Sequence, residues 1–359
     1  ATPTPADKPS QQAIASAHPL ATEAGLDILR QGGNAFDAAI TVAATLAVVE
    51  PYSAGMGGGG FWLLHDVTRQ RDIFVDARER APLSASRNMY LNDAGQVQPE
   101  KSMNGPLAAG IPGQAAAFAH LARLYGRLPL STTLAPAIRL AQEGFPAHRG
   151  YLEMLEARRA VLSRYPDSKR IFLNDGREIR EGTLIRQPEL ANTLRTLAQQ
   201  GHEGFYGGPL ADSLIQGVNA NGGQWTRADL SQYQVVERDP LRFDITVRAD
   251  QGTQPVTASL VTAPPPSSGG VALAEMFNML QGFPWAGMKP ADQTHLLAEV
   301  MRRAYRDRAE YLGDPDYVSI PLSTLLSQQH AQEMARTINL DRATRSAAMG
   351  RMLSVSAGQ

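Results

Sequence analysis

Hydrophobic positions along the chain follow helical spacing in some stretches and form short apolar blocks in others. Leu20, Ala24 and Ile28 lie four residues apart, which predicts an amphipathic helix over Pro19–Arg30. The next segment, Ala35–Val49, is apolar on almost every side, so it predicts a buried helix capped by the preceding asparagine. Further helices are predicted at 113–125, 131–142, 151–165, 188–200, 209–219, 271–280 and 291–311, and strands at 13–17, 241–247 and 256–261.

One stretch, residues 53–82, organises the rest of the chain. Residues 55–60 contain five glycines and one Met, and so few side chains allow the backbone to come close to another backbone or to a ligand. Two short apolar runs, 61–64 and 73–75, flank a polar turn. This pattern predicts a β-hairpin directly after the glycines.

The second strand of that hairpin leads into a cluster of charges, Asp76, Arg78, Glu79 and Arg80. Because side chains alternate along a strand, Asp76, Arg78 and Arg80 would share one face if the strand stays extended. Taken alone, such an arginine is more often a surface residue paired with an acid. The functional interpretation is a guanidinium that binds a carboxylate bidentately, and we expect the hairpin to direct Arg78 into a binding site.

Composition narrows the function classes. The charges nearly cancel, with 34 Lys and Arg against 35 Asp and Glu, so no nucleic-acid partner is expected. No apolar run approaches the about 20 residues that a membrane span needs. The absence of cysteine excludes disulfides, thiolate metal sites and a Cys nucleophile in this chain. The seven His are scattered without HxH or HxxxH spacing, so no His-based metal site is expected.

The first residues, ATPTPADKPS, form a Pro-rich polar leader. Such a start is typical of the mature end left by signal-peptide removal, although a sequence cut at an arbitrary position would look the same. Residues 1–12 are predicted to be disordered, and the protein is expected to be periplasmic or secreted.

Two further features have competing interpretations. The glycines do not form a phosphate loop, because GxxxxGK[ST] is absent and the GxGxxG spacing of Gly55, Gly57 and Gly60 precedes a strand. Tight packing of helix against strand is therefore favoured. Ser267 and Ser268 are favoured as helix-capping hydroxyls rather than a nucleophile, since no G-x-S-x-G elbow is present.

The acids of residues 304–318 have the ligand chemistry of a metal site, but pairing within a helix, such as Arg303 with Asp307, is favoured. The residues alone thus predict an α/β protein with a glycine-lined hairpin and an arginine. They do not name a reaction.

Six segments, in order along the chain, resemble the gamma-glutamyltranspeptidase family. They are AHPLATEAGLDILRQGGNAFDAA at 17–39, EPYSAGMGGGGF at 50–61, VDARERAP at 75–82, PLAAGIPG at 106–113, APPPSSGG at 263–270 and AYRDRAEYLGDPDYV at 304–318. The resemblance implies a precursor cut into a large and a small chain, with a Thr nucleophile at the start of the small chain and that residue's own α-amine as base. It also implies an α/β (α+β) fold, the Ntn-hydrolase αββα sandwich, completed by the separate small subunit.

This chain resembles the large chain only. Residues 13–359 are therefore expected to be the large-subunit portion of a single Ntn-hydrolase domain, with Gln359 left by autocleavage. No catalytic residue, metal or cofactor is then expected in this chain. Arg78 matches the family arginine that binds the donor α-carboxylate, and Glu79 matches the neighbouring acid, a candidate to orient Arg78. Arg80 occupies a position that varies within the family and usually holds a small or apolar residue. The resemblance therefore leaves the donor and acceptor preference open.

The resemblance implies the large subunit of a gamma-glutamyltranspeptidase. Such an enzyme transfers the gamma-glutamyl group of glutathione and related donors to water, amino acids or peptides through an acyl-enzyme. One alternative keeps the fold and changes the substrate: a cephalosporin or glutaryl acylase of the same superfamily. The other is a periplasmic solute-binding protein without chemistry, which would fold and bind its ligand alone.

Overall fold

The structure of the protein is a computed structural model that describes residues 12–247 and 255–349. The leader predicted to be disordered, apart from its last residue, and the predicted cleavage residue Gln359 lie outside the described residues. Within the described ranges, no helix combines the length and apolar character that a membrane crossing requires.

The described residues form helices and short strands. The helices are α1 Pro19–Arg30, α2 Ala35–Val49, α3 Pro99–Met103, α4 Gln114–Leu124, α5 Leu130–Thr133, α6 Ala135–Glu143, α7 Arg149–Leu162, α8 Pro166–Phe172, α9 Pro188–Gln200, α10 Glu203–Tyr206, α11 Gly208–Ala220, α12 Arg227–Ser231, α13 Gly269–Leu280, α14 Pro290–Tyr311, α15 Leu322–Leu325 and α16 Gln328–Arg336. The strands are β1 Gly60–Asp66, β2 Arg71–Ala77, β3 Phe145–Pro146, β4 Leu184–Ile185, β5 Val236–Arg238, β6 Leu241–Val247 and β7 Val256–Thr262.

Strands pair in three small sheets. β1, β2 and β5 form one sheet in that order, β3 pairs with β4, and β6 pairs with β7. The β6–β7 ladder is antiparallel and runs from Leu241 opposite Thr262 to Val247 opposite Val256. The predicted hairpin after the glycines and the predicted strands at 241–247 and 256–261 are confirmed.

The chain divides into two compact units. The first comprises the described parts of Ala1–Phe61 and Asp76–Val236, and the second comprises those of Trp62–Val75 and Glu237–Gln359.

In the first unit, α1 packs against α2, and the start of α2 is fixed by a reciprocal cap. The Asn34 side chain accepts hydrogen bonds from the N–H groups of Phe36 and Asp37, both at 3.0 Å, and the Asp37 carboxylate accepts from Asn34 N at 2.9 Å. Asp37 is fully buried and also accepts from the N–H groups of Arg127 at 3.0 Å and Leu128 at 3.3 Å. The predicted asparagine cap is confirmed, and it joins α2 to the loop after α4.

In the second unit, α13, α14 and α16 share an apolar core. Its buried residues are Ala272, Met279, Leu296, Val300, Ala304, Ala331 and Met334. These residues recur at helical spacing on one face of each helix, so the packing follows from the amphipathic pattern. The predicted helices at 271–280 and 291–311 are confirmed within two residues.

Some predicted elements differ from the structure. Residues 13–17 form no strand, because this segment leads into α1: the His18 side chain accepts the N–H of Leu20 at 3.2 Å, and Ser16 Oγ donates to the His18 carbonyl at 3.1 Å. The helix predicted at 151–165 ends at Leu162, and Pro166 opens a separate helix because proline fits the first helical turn.

Candidate functional site

The glycine run lies directly against the backbone that precedes Arg78. A Cβ atom on Gly59 would lie 2.2 Å from the Ala77 carbonyl oxygen and 3.0 Å from Glu79 N. The Gly58 carbonyl accepts hydrogen bonds from the N–H groups of Gly113 at 2.9 Å and residue 114 at 3.0 Å. The glycine backbone is tightly packed, but against the end of β2 and not a helix face, so the predicted packing of helix against strand is not what requires glycine at residue 59.

Gly113 also lies against the same carbonyl. A Cβ at this position would lie 2.0 Å from the Ala77 oxygen and 2.3 Å from the Tyr233 hydroxyl. Neither Gly59 nor Gly113 has a positive φ, so close approach and not backbone conformation demands glycine here. The Ala77 carbonyl is thus enclosed by two chain segments.

Strand β2 ends at Ala77, so Arg78 begins a short irregular segment. The Arg78 N–H donates to an Asp76 carboxylate oxygen at 3.2 Å, and Arg80 forms an isolated antiparallel bridge with Ile111. The prediction that Asp76, Arg78 and Arg80 share one face required the strand to stay extended through Arg80, and this condition is not met. The side chains of Arg78 and Arg80 lie over different aromatic rings.

The Arg78 guanidinium is exposed. Its Cζ lies 5.7 Å from the centroid of the Phe61 ring, a cation–π contact. Within residues 12–247 and 255–349, no ion pair or hydrogen bond engages this guanidinium, so its five N–H donors are available. Glu79 makes no hydrogen bond to Arg78 in those ranges, and its role as an orienting acid stays a prediction.

A stack of three aromatic side chains contacts the backbone of Arg78. They are His202, Tyr206 and Tyr233, and we call them the aromatic column. Tyr206 stacks on Tyr233 with ring centroids 5.4 Å apart and planes 9° apart, and His202 stacks on Tyr206 at 4.4 Å. The Tyr233 hydroxyl donates to the Arg78 carbonyl at 2.7 Å. The backbone of the exposed arginine is therefore held from inside the first unit.

The aromatic column also binds the backbone at the start of α4. The Tyr206 hydroxyl donates to the Pro112 carbonyl at 2.7 Å and accepts the Ala116 N–H at 3.2 Å. Burial raises the pKa of both the Tyr206 and the Tyr233 hydroxyl well above the ordinary value, so each stays protonated and able to donate. The Arg80 guanidinium also contacts the aromatic column, with its Cζ 5.4 Å from the centroid of the Tyr233 ring.

The two serines occupy structural positions in the second unit. Ser267 Oγ accepts the N–H of Gly269, the first residue of α13, at 3.3 Å, but the N-cap residue is Ser268 and no side chain caps this helix. Ser268 does not cap the helix with its side chain but accepts a hydrogen bond from Arg308 Nε at 2.8 Å.

The favoured pairing of Arg303 with Asp307 is wrong. Arg303 is buried and pairs with Glu299 at 2.6 Å, one turn in the other direction. Asp307 accepts hydrogen bonds from Arg306 through one oxygen and contacts His330 Nε2 at 2.6 Å through the other. Both directions are allowed by the four-residue rule, and all three residues are buried; Asp307 is instead engaged by Arg306 and His330.

Asp307 also belongs to a cluster of three ionisable side chains. Glu275, Asp307 and His330 are all buried in the second unit, and one possible ligand atom from each lies within 4.8 Å of the others. Burial, together with the Asp307 charge, raises the pKa of Glu275 to about 9, against an opposing effect of Arg306.

Comparison with known proteins places these features in context. The sequence model of the family described as gamma-glutamyltranspeptidase matches residues 21–357. The chain is 37% identical to the glutathione hydrolase proenzyme of Escherichia coli K12 over 336 residues, which are 93% of this chain and 56% of that protein. The chain thus spans about half the length of the curated relatives it matches.

Solved structures show the same relationship. The Helicobacter pylori gamma-glutamyltranspeptidase matches with a TM-score of 0.88 and 35% identity, covering 97% of this chain and all of the matched chain. A cephalosporin acylase from Bacillus halodurans matches with a TM-score of 0.78 and 30% identity, covering 94% of this chain and 63% of the acylase. The predicted α/β fold class of the Ntn-hydrolase type is confirmed.

Proposed function

Because the chain belongs to the gamma-glutamyltranspeptidase family, we propose that it is the large subunit of a heterodimeric enzyme that transfers a gamma-glutamyl group. The donors would be glutathione and related gamma-glutamyl compounds, and the acceptors water, amino acids or peptides. Its partner would be a small subunit from the same precursor, in keeping with the word proenzyme in the relatives' names. The periplasm or the extracellular space is the proposed location.

The observation that carries this proposal is the available guanidinium of Arg78 on a fixed backbone. A gamma-glutamyl donor has a free α-carboxylate, and a guanidinium matches a carboxylate with two parallel hydrogen bonds. Since the Arg78 carbonyl is held by Tyr233 and the preceding Ala77 carbonyl is closely packed by glycines, the backbone that carries the cation is fixed before substrate arrives. Holding the donor in this way orients its γ-carbonyl toward a nucleophile.

In the proposed reaction, the hydroxyl of the small subunit's N-terminal Thr attacks the γ-carbonyl carbon, and the α-amine of that Thr takes the hydroxyl proton. The C–N bond to the leaving amine breaks as the amine receives that proton, which leaves a gamma-glutamyl ester on the Thr. Water or an acceptor amine then attacks the ester carbonyl and releases the Thr hydroxyl. Arg78 takes no part in bond making; it binds the donor through both acyl-transfer steps.

Arg78 is tested by removing the carboxylate from the substrate and the guanidinium from the enzyme in turn. The processed enzyme is assayed with gamma-glutamyl-p-nitroanilide and with 4-aminobutyryl-p-nitroanilide, which lacks only the α-carboxylate. We expect Arg78→Met to lower kcat/KM for the gamma-glutamyl substrate by about 10²–10³-fold, on the basis of two charge-assisted hydrogen bonds. The 4-aminobutyryl substrate should be almost unaffected. Arg78→Lys should raise the donor KM strongly, because a point charge replaces a planar fork.

Arg87→Lys is the matched control, since Arg87 is an exposed arginine of the same unit with no side-chain partner in the described ranges. It should behave as the unaltered enzyme does. Equal losses on both substrates in Arg78→Met, or no loss on either, would overturn the assignment of Arg78.

The similarity to a cephalosporin acylase supports one competing function. Gamma-glutamyl and glutaryl groups differ only by the α-amine, so both present a carboxylate that Arg78 is suited to bind. Activity on glutaryl-p-nitroanilide exceeding that on gamma-glutamyl-p-nitroanilide would favour the acylase. Family membership argues against the solute-binding alternative, since the named relatives are hydrolases and acylases.

A further inference from the structure

Three helices of the second unit bring two carboxyl groups and one imidazole together in the buried interior. Glu275 lies on α13, Asp307 on α14 and His330 on α16, and these residues are 1%, 0% and 2% exposed. One possible ligand atom from each lies within 4.8 Å of the other two. This cluster belongs to the second unit, whereas Arg78 belongs to the first.

Two polar atoms of the cluster have no partner. Among the described residues, neither Glu275 Oε1 nor His330 Nδ1 makes a hydrogen bond, although both are buried. Buried polar groups in folded proteins are almost always hydrogen-bonded or bound to an ion, because leaving one unpaired forfeits its hydration without compensation. The unpaired Glu275 oxygen therefore points to an occupant between these helices.

Asp307 is the fixed member of the cluster. Arg306 Nε donates to Oδ1 at 2.9 Å, and the other carboxylate oxygen, Oδ2, contacts His330 Nε2 at 2.6 Å. An arginine that holds one carboxylate oxygen is a usual outer partner of a ligating aspartate, since it sets the orientation of the oxygen that binds the ion. The guanidinium also offsets one of the two negative charges that ionised Glu275 and Asp307 would carry.

We propose that Glu275, Asp307 and His330 form a binding site for one divalent transition-metal ion of the zinc class. One imidazole nitrogen and two carboxylate oxygens are a donor set that zinc accepts, with a water molecule as the fourth ligand. Calcium and magnesium are less suited, because they favour six or more oxygen ligands. The prediction of no metal site rested on spacing along the sequence, whereas these residues are brought together by three helices.

The competing occupant is a proton. A proton on Glu275 also removes the uncompensated charge, and it requires no rearrangement of the contact between Asp307 and His330. Zinc binding, in contrast, requires a neutral imidazole and opens that contact, so it releases a proton to solution. Metal content therefore separates the two occupants, and activity need not be measured.

The test uses the full precursor and its processed form after dialysis against a chelator. Zn²⁺ is titrated calorimetrically and by thermal unfolding, and Co²⁺ is titrated by its visible absorption, which reports coordination geometry without any variant. We expect one Zn²⁺ per chain, a Tm that rises with Zn²⁺ concentration, and a Co²⁺ spectrum of tetrahedral intensity. Glu275→Gln and His330→Gln should each weaken binding by about 100-fold or more, since each removes a direct ligand.

Glu333→Gln is the matched control, because Glu333 is exposed on the same helix as His330 and removing its charge leaves the cluster intact. It should bind Zn²⁺ as the unaltered chain does. Failure to bind one Zn²⁺ per chain, or binding that survives both ligand substitutions, overturns the proposal. A Glu275→Gln chain whose Tm rises while no chain responds to Zn²⁺ would identify a proton as the occupant. None of these outcomes depends on Arg78, so they stand apart from the test of the proposed function.

Discussion

Gly59 offers the most direct test of how the glycine run supports the site. In Gly59→Ala the new Cβ would lie 2.2 Å from the Ala77 carbonyl oxygen, whereas ordinary contact begins at 3.4 Å. One of the two backbones must therefore move by about 1 Å, since neither contacting group is a flexible side chain. The Ala77 carbonyl immediately precedes Arg78, so the displacement reaches the guanidinium.

A displacement of about 1 Å at a positioning group costs up to about 10²-fold in turnover or binding. Because Arg78 is proposed to bind the donor and not to make bonds, we expect the loss mainly in KM for gamma-glutamyl-p-nitroanilide. The assay is steady-state kinetics on the processed enzyme, with the extent of precursor cleavage measured by gel so that immature protein is discounted.

Gly57→Ala is the matched control. A Cβ at Gly57 meets nothing within 4 Å, and neither glycine has a positive φ, so the two substitutions share their conformational effect and differ in the clash. We expect Gly57→Ala to leave KM within about twofold of the starting value, as is usual for a surface substitution. Equal KM values for the two variants would refute the reasoning that close packing at residue 59 positions the arginine.

Two further predictions concern the aromatic column and acid stability. Tyr233→Phe removes the donor to the arginine carbonyl and should raise the donor KM about 5–30-fold, whereas Tyr151→Phe, which deletes a buried hydroxyl without a partner in the described ranges, should not. Burial opposes ionisation of Glu299, but hydrogen bonds from Thr344 and Arg303 outweigh it and lower its pKa to about 2 from an ordinary 4.5. A depressed carboxyl pKa contributes stability above pH 4.5 that is lost as the pH falls toward 2, amounting to about 3 kcal/mol. Thermal unfolding measured between pH 4.5 and 2 should show a smaller loss of stability on acidification in Glu299→Gln than in the unaltered chain. An unchanged slope would contradict the assigned pairing.

Local sequence signals were enough to predict much of the fold. The boundaries of α1 and α2 follow from apolar spacing and from an asparagine cap that acts within three residues. The hairpin after the glycines follows from two apolar runs and a polar turn. The segment 13–17 was predicted wrongly, because its small apolar residues fit a strand locally and only its contacts with α1 show otherwise.

The site was predictable only in part, since most of what holds it is remote in sequence. The charged cluster ending β2 marks Arg78, but Tyr233 reaches its carbonyl across 155 positions. Neither Tyr233 nor Tyr206 lies in a recognisable motif, so no local signal reveals the aromatic column. The same limit applies to the cluster around Asp307, where two arginine–carboxylate pairings satisfy the helical rule and contacts remote in sequence decide between them.

The way Arg78 is held has a physical reason. An acid beside the guanidinium would fix its position, but it would also compete with the substrate carboxylate and reduce the net gain on binding. The protein fixes the backbone instead: glycines enclose the Ala77 carbonyl, Tyr233 binds the Arg78 carbonyl, and Asp76 accepts the Arg78 N–H. The cation contacts only the face of Phe61 among the groups described, which orients it without neutralising it. In the proposed role of Arg78, positioning is thus separated from charge compensation, and the donor carboxylate would supply the compensating charge.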